Sequence, residues 1–153
     1  MTEKTPNPYL HNLPYRVERI DPPTKVYVDQ STIPGAGRGV FAKEDIAAGE
    51  VFEVAPVIVV PFGDPATDEE KSVVPHYYFT FKWWYGFALG YATIYNHAYE
   101  PNALYEKDDE LGAVIFTARY DIKAGEEIFT TYNNSDPSDK STPMNFGIPP
   151  YQG

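Results

Sequence analysis

Two polar side chains that can do chemistry, Asn96 and His97, stand side by side in the stretch from Tyr91 to Asn102. Asn and His side chains both donate and accept hydrogen bonds. They follow an apolar run, residues 87–95, which predicts a buried segment. Polar groups delivered into an apolar setting need partners, which come from the fold or from a ligand. Taken alone, the stretch supports two readings: a structural turn with a satisfied Asn, or a binding site.

A second candidate is the glycine-rich stretch from Ser31 to Gly39, with glycines at 35, 37 and 39. Glycine permits positive φ and close approach of the backbone to a ligand. The stretch is not a dinucleotide-binding fingerprint, because the Gly-x-Gly-x-x-Gly pattern is absent and no βαβ unit follows. It predicts either a ligand-binding loop or a glycine-rich hairpin loop.

Short strands joined by many turns are expected to position these residues. The chain has 15 Pro and 11 Gly, and 16% of its residues are aromatic, a composition typical of such β architecture. Pro56 lies inside one strongly β-forming run and predicts a sheet edge or a bulge. Acidic loops are predicted at 61–72 and 106–110. The predicted strands span residues 25–30, 51–60, 73–81, 111–119 and 127–132.

Two nine-residue segments, 42–50 and 118–126, echo one another around a shared Asp-Ile-x-Ala-Gly-Glu pattern. Each predicts a turn that ends one strand and starts another. Asp is expected to cap the turn, Ile to fill the space beneath it, and Gly to supply the special φ. Two copies are too few for a solenoid.

A dense aromatic patch at residues 83–87 contains Trp83, Trp84, Tyr85 and Phe87. Such residues usually form core. The alternative is that some of them line a groove for an apolar or cationic side chain.

Charge and composition exclude several classes of function. Twelve Lys and Arg against 22 Asp and Glu give a net charge of −10, which opposes binding to a phosphate backbone and suits a basic partner. Without cysteine, disulfides and thiolate zinc sites are excluded. The three histidines have no metal-ligand spacing, so no metal is expected. With no signal-peptide core or membrane span, we expect a soluble intracellular protein, cytoplasmic or, in a eukaryote, nuclear.

Three segments occur together in order: Gly37-Arg-Gly-Val-Phe-Ala42, Tyr95-Asn-His-Ala-Tyr-Glu-Pro-Asn102, and the run from Ala118 through Gly125-Glu-Glu to Tyr132. Together they resemble the SET-domain protein-lysine methyltransferases, over residues 25–133. The resemblance implies a mainly β fold, the SET-type β-clip of small curved sheets with a threaded, knot-like C-terminal segment. Residues 1–24 would be an N-terminal lead, and residues 134–153 a tail that closes the cofactor pocket.

The resemblance also implies S-adenosylmethionine as cofactor, S-adenosylhomocysteine as product and a lysine-containing, basic protein as substrate. Gly37, Arg38, Gly39, Asn96 and His97 would hold the cofactor. Tyr132 would be catalytic and would also touch the cofactor, while Phe146 of the tail would stack on the adenine unless the tail is disordered. The candidates for the aromatic channel that receives the lysine are Tyr77, Tyr78, Tyr91 and Tyr95. Thr130 stands where many members place the residue that limits methylation.

The chemistry fits these residue types. Methyl transfer is an in-line displacement, so alignment of amine, methyl and sulfur is the main task. A lysine held near a sulfonium and away from water has a lowered pKa, so no strong base is needed. The competing reading is a SET-like module that binds a peptide or S-adenosylmethionine without turnover. A minimal domain without cysteine-rich flanking modules is also expected to gain from forming a homodimer.

Overall fold

The computed structural model describes residues 13–141 and is built from nine short strands with two 3-10 turns. The mainly β prediction is confirmed. The 3-10 segments are Pro65–Thr67 and Val74–Tyr77. The strands are β1 (Val26–Gln30), β2 (Arg38–Ala42), β3 (Val51–Val60), β4 (Phe79–Thr80), β5 (Tyr85–Ala88), β6 (Asn96–His97), β7 (Ala103–Asp108), β8 (Ala113–Ala118) and β9 (Glu127–Thr130).

The strands form two small sheets, ordered β1-β2-β9-β6 and β4-β5-β3-β8-β7. Every strand pair is antiparallel except β6 with β9, where Asn96 lies opposite Phe129 and His97 opposite Thr130. A parallel pair needs a long crossover, and the β7–β8 hairpin of the other sheet supplies it. As a result, β9 inserts between β2 and β6, and the chain segments that leave β6 and β9 run side by side.

The two echoed segments pack against each other. Ile46 and Ile122 form an antiparallel bridge, with both N–H groups donating to the opposite carbonyl at 2.8 Å. Each Asp caps the turn of the other copy: Asp45 accepts from Ala124 N at 3.0 Å and Asp121 from Ala48 N at 2.9 Å. The predicted positive φ is present in both copies, at +83° and +88° for the two turn glycines. The echo therefore marks a pair of turns that cap one another.

Pro56 does not mark an outer edge, because β3 is the middle strand of its sheet. Residues 51–56 of β3 pair with β8, and residues 57–60 pair with β5. Pro56 stands where the partner changes, and the register shift of β3 lies nearer its start, between Val51 and Glu53. The carbonyl of Pro56 still accepts from the N–H of Leu89, just past β5, at 2.9 Å, so the proline removes only its own donor from the sheet.

The strand predicted over residues 73–81 is wrong for most of its length. Val74–Tyr77 is a 3-10 turn with Pro75 in its first positions, and only Phe79–Thr80 is strand. Proline fixes φ near the helical value and favours the first turn of a helix, and this outweighed the β preference of the Val and Tyr residues around it.

The aromatic patch divides between core and surface. Trp84 is 4% exposed and stacks on Phe81 at a ring-centroid distance of 4.0 Å, whereas Trp83 is 72% exposed. A second aromatic cluster lies at the centre of the core, where Tyr95 stacks on Phe116 at 4.5 Å and meets Phe52 edge-on at 6.0 Å. This cluster supports the underside of the segment that precedes β6.

Candidate active site

Tyr132 lies two residues beyond β9, at the point where the paired strands β6 and β9 end. Its N–H donates to Nδ1 of His97 at 3.1 Å, and its hydroxyl donates to the carbonyl oxygen of Tyr95 at 3.1 Å. Burial, with smaller contributions from nearby Tyr77 and Tyr105, raises the pKa of Tyr132 to about 12. The residue is still 39% exposed, so a protonated phenol is held at a surface that other molecules can reach.

A cavity lined by tyrosines opens beside this hydroxyl. Four residues singled out from the sequence are brought together in its wall: Tyr77, Tyr78, Tyr95 and Tyr132. Two other predicted channel residues are not in this lining: the N–H of Tyr91 donates to Glu53 in the core, and Thr130 is buried in β9. The tyrosines of the lining are Tyr77, Tyr78, Tyr95, Tyr105 and Tyr132.

Lys107 also lines the cavity. Its Nζ donates to the carbonyl of Thr80 at 2.6 Å and to Oδ1 of Asn134 at 3.2 Å. Burial lowers the pKa of Lys107, although the charge of Asp109 acts in the opposite direction. The cavity is therefore a place where a lysine side chain finds oxygen acceptors while its ammonium form is disfavoured.

The side-chain amide of Asn96 holds the glycine loop. Its Nδ2 donates to the carbonyl of Arg38 at 2.9 Å, and it lies 3.1 Å from both Ser31 Oγ and Glu127 Oε1. Glu127, only 5% exposed, also accepts from the Ser31 hydroxyl at 2.7 Å and from the backbone N–H and the hydroxyl of Thr32. A buried carboxylate that is satisfied by several donors fixes the loop on both sides.

The two glycines of the Gly37–Gly39 loop are required for different reasons. A Cβ on Gly39 would lie 2.2 Å from Glu127 Oε1 and 3.3 Å from Asn96 Nδ2. Gly37 has φ +77°, and a Cβ there would meet nothing within 4 Å. The first glycine thus needs the left-handed backbone and leaves open space beside it, while the second allows close packing against the buried carboxylate. Such a loop, open on one side and clamped on the other, fits a ligand held by backbone groups.

Residues 95 and 96 join the two parts of the site. The Tyr95 carbonyl accepts from Tyr132 at the tyrosine-lined cavity, and the next side chain, Asn96, donates to the glycine loop. One peptide unit therefore couples the cavity to the loop.

Sequence reasoning left several residues of this site without a role. Glu127 stands inside the quoted Gly-Glu-Glu motif, and its position in an otherwise apolar strand was the available signal. Ser31 and Tyr105 carry no sequence signal that separates them from ordinary loop and strand residues. The predicted cofactor residue Phe146 lies outside the described residues.

Within residues 13–141, no group of three or more His, Cys, Asp or Glu side chains is arranged to hold a metal ion. No helix in that part of the chain is long and apolar enough to cross a membrane.

The fold and the site define a SET domain. The family model for the SET domain matches residues 37–133, so the chain belongs to this family. It is 31% identical over 101 residues to the histone H3 lysine-37-specific N-methyltransferase of Schizosaccharomyces pombe, covering 64% of this chain and 67% of that protein. The chain is accordingly a protein-lysine N-methyltransferase that uses S-adenosylmethionine.

Solved structures agree on the fold. A Plasmodium falciparum protein assigned as a histone methyltransferase superposes with a TM-score of 0.60 at 28% identity, over 72% of this chain and 95% of that one. A chain of the Chaetomium thermophilum polycomb repressive complex 2, bound to S-adenosylmethionine, gives 0.61 at 26% identity. That match spans 77% of this chain but only 16% of the much longer one. The predicted SET-type fold is thus confirmed.

Proposed function

We propose that the tyrosine-lined cavity receives the substrate lysine and that Tyr132 aligns its amine. The loop Gly37–Gly39, with Asn96 and the backbone of His97, is proposed to hold S-adenosylmethionine. The observation that carries the proposal is the coupling through residues 95 and 96, because lysine and cofactor must meet where the cavity and the loop adjoin. Turnover separates this function from the competing one, a SET-like module that binds a peptide or S-adenosylmethionine without transfer.

Tyr132 acts in this proposal as an aligning group and not as a base. Its hydroxyl hydrogen is donated to the Tyr95 carbonyl, so the oxygen lone pairs face the incoming amine and accept from it. A pKa of about 12 keeps the phenol protonated. The amine instead loses its proton to solvent, since burial lowers the pKa of a lysine in this cavity, as it does for Lys107.

When bound, S-adenosylmethionine supplies an electrophilic methyl group on a sulfonium. The chain would position the cofactor. The glycine loop offers backbone groups at close range, and Asn96 fixes the Arg38 carbonyl of that loop. Alignment of this kind supplies a large share of the acceleration in a displacement reaction. Phe146 remains part of the proposal as the residue that stacks on the adenine.

We infer that the substrate is a basic segment of a protein, of the histone kind. The net charge of −10 favours it over nucleic acid. Glu69, which lines the cavity, belongs to an acidic loop that also holds Asp64, Asp68 and Glu70. The Schizosaccharomyces pombe relative modifies histone H3. A nuclear or cytoplasmic location, and a homodimer that completes the substrate groove, belong to the same proposal. A monomeric mass of active enzyme in light scattering would refute the dimer.

The test is transfer of labelled methyl from S-adenosylmethionine to a panel of Lys-rich proteins and peptides by wild type and Tyr132→Phe. The variant keeps the ring but loses the hydroxyl, so we expect at least a ~100-fold fall in kcat with the fold retained. Tyr120→Phe is the matched control, because Tyr120 is 51% exposed and lies outside the cavity lining. Full transfer by a folded Tyr132→Phe enzyme would remove Tyr132 from this role.

A further inference from the structure

Glu53 is a carboxylate buried in the core directly behind the site. It stands on β3 at the register shift and is 2% exposed. Within residues 13–141, the ion pairs of the structure do not include it. Burial raises the pKa of this carboxyl, while the two hydrogen bonds it accepts act to lower the pKa. Burial of an acid without an ion pair lowers the stability of the fold, so a specific role is expected for Glu53.

The two oxygens of Glu53 hold both ends of one turn. Oε2 accepts from the N–H of Tyr91 at 2.9 Å, and Oε1 accepts from the hydroxyl of Tyr95 at 2.7 Å. The turn between them is closed by a bond from Ile94 N to the Tyr91 carbonyl at 2.8 Å. Gly90, with φ +65°, makes room for the carboxylate, because a Cβ there would lie 2.4 Å from Oε2.

The turn ends at the carbonyl that orients Tyr132. Tyr95 is 2% exposed, and its ring is held by Glu53 at the hydroxyl and by Phe116 across its face. With its side chain fixed in this way, its backbone oxygen is fixed as well, and that oxygen accepts from the Tyr132 hydroxyl. Two hydrogen bonds, joined through the covalent structure of Tyr95, therefore connect the core carboxylate to the Tyr132 hydroxyl.

We propose that Glu53 is a positioning residue for methyl transfer, which acts through Tyr95 to set the direction of the Tyr132 hydroxyl. This inference rests on the proposed role of Tyr132. Glu53 touches neither substrate nor cofactor. Its contribution is to hold the Tyr95 carbonyl, and through it the Tyr132 hydroxyl, in the position that alignment of the amine requires. Small misplacements at a reacting centre cause large losses in rate.

The test compares Glu53→Gln and Tyr95→Phe with wild type in steady-state methyl transfer, cofactor calorimetry and thermal unfolding. Gln keeps the shape and one acceptor but cannot serve both donors in the same way, and Phe removes only the hydroxyl. We expect each folded variant to lose about tenfold in kcat, with the KM for peptide and the cofactor affinity unchanged. Because both variants cut the same path, the double variant should lose little more than either single one.

Glu106→Gln is the matched control, since it makes the same change at an exposed site on β7 of the same sheet. Its kcat should equal that of wild type. Unchanged kcat in folded Glu53→Gln would overturn the proposal, and so would parallel losses of kcat, cofactor affinity and folded fraction, which indicate a purely structural role. Tyr132→Phe, run alongside, separates the two failures. If Tyr132→Phe is fully active, the proposed function fails; if it is inactive while Glu53→Gln is normal, only the role of Glu53 fails.

Discussion

Replacing Gly39 by Ala tests whether the glycine loop is clamped by Glu127. The added Cβ would stand 2.2 Å from Oε1 and 2.9 Å from Cδ of that carboxylate. Because Glu127 is buried and bonded to several donors, it cannot swing away without giving up the bonds from Ser31 and Asn96. Overpacking of this kind costs about 1–3 kcal/mol, and loss of a hydrogen bond to a charged group about 1.5–3 kcal/mol. We therefore expect a loss of about 2.5–6 kcal/mol in the free energy of unfolding.

Gly37→Ala is the internal comparison, because the same substitution in the same loop meets a different obstacle. Its Cβ would have open space, so only the left-handed backbone at φ +77° opposes it. That conformation costs an L-residue roughly 1–2 kcal/mol. Gly37→Asn should recover part of this loss, since Asn tolerates the left-handed region better than Ala.

The assay is urea unfolding of the variants, with calorimetric binding of S-adenosylmethionine to the folded proteins. Gly39→Ala should be the less stable variant and should also bind cofactor more weakly, because Asn96 can no longer hold the Arg38 carbonyl. A Gly39→Ala protein that is as stable as Gly37→Ala, and binds cofactor normally, would refute the clamp.

Two other perturbations follow from the same geometry. The side chain of Asn102 donates to the Glu127 carbonyl at 2.9 Å and accepts from the Phe129 N–H at 2.8 Å. Asn102→Ala should lower the free energy of unfolding in urea by about 2–4 kcal/mol, because two backbone groups of β9 lose their partners. A loss under about 0.5 kcal/mol would contradict these bonds. The second perturbation is alkaline pH. In the folded state the pKa values of Tyr105 and Tyr132 are about 12, against an ordinary value of 10.0. Because the unfolded chain loses these protons first, the stability present below pH 10 should fall between about pH 10 and 12. Tyr105→Phe should make this fall shallower in unfolding measured at stepped pH, and an unchanged slope would argue against the shift at that residue.

The sequence was most informative where a residue type has a narrow range of uses. The Asp-Ile-x-Ala-Gly-Glu echo predicted two turns with positive-φ glycines, and both are present. What it could not show is that Asp45 caps the turn at Ala124 and Asp121 the turn at Ala48. Local pattern specifies a turn, but only the tertiary packing decides which copy receives the cap.

Residues whose role depends on burial were harder to place. The composition of residues 73–81 favoured a strand, but Val74–Tyr77 forms a 3-10 segment with Pro75 in its first positions. Tyr95 was predicted to line the channel, and it does line the cavity. The sequence could not show that its hydroxyl reaches the buried Glu53 while its backbone carbonyl accepts from Tyr132. Nothing in a run of tyrosines says which rings face the core and which face a cavity, because tyrosine serves both environments.

The three motifs, each weak alone, form one site because they end on three neighbouring strands. The glycine loop leads into β2, the Gly-Glu-Glu segment leads into β9, and the Asn-His pair is β6, in the spatial order β2-β9-β6. The central strand β9 carries Glu127 toward the loop and leads to Tyr132 at the cavity, so a slip of its register would displace the Glu127 contacts to the loop and the Tyr132 hydroxyl together. The parallel pairing of β6 with β9 is then what requires the Asn-His and Glu-to-Tyr segments to be separated by a whole β7–β8 hairpin. The order and spacing of the motifs are consequences of this topology. For that reason the three motifs together indicate the family, although no single motif is specific enough to do so.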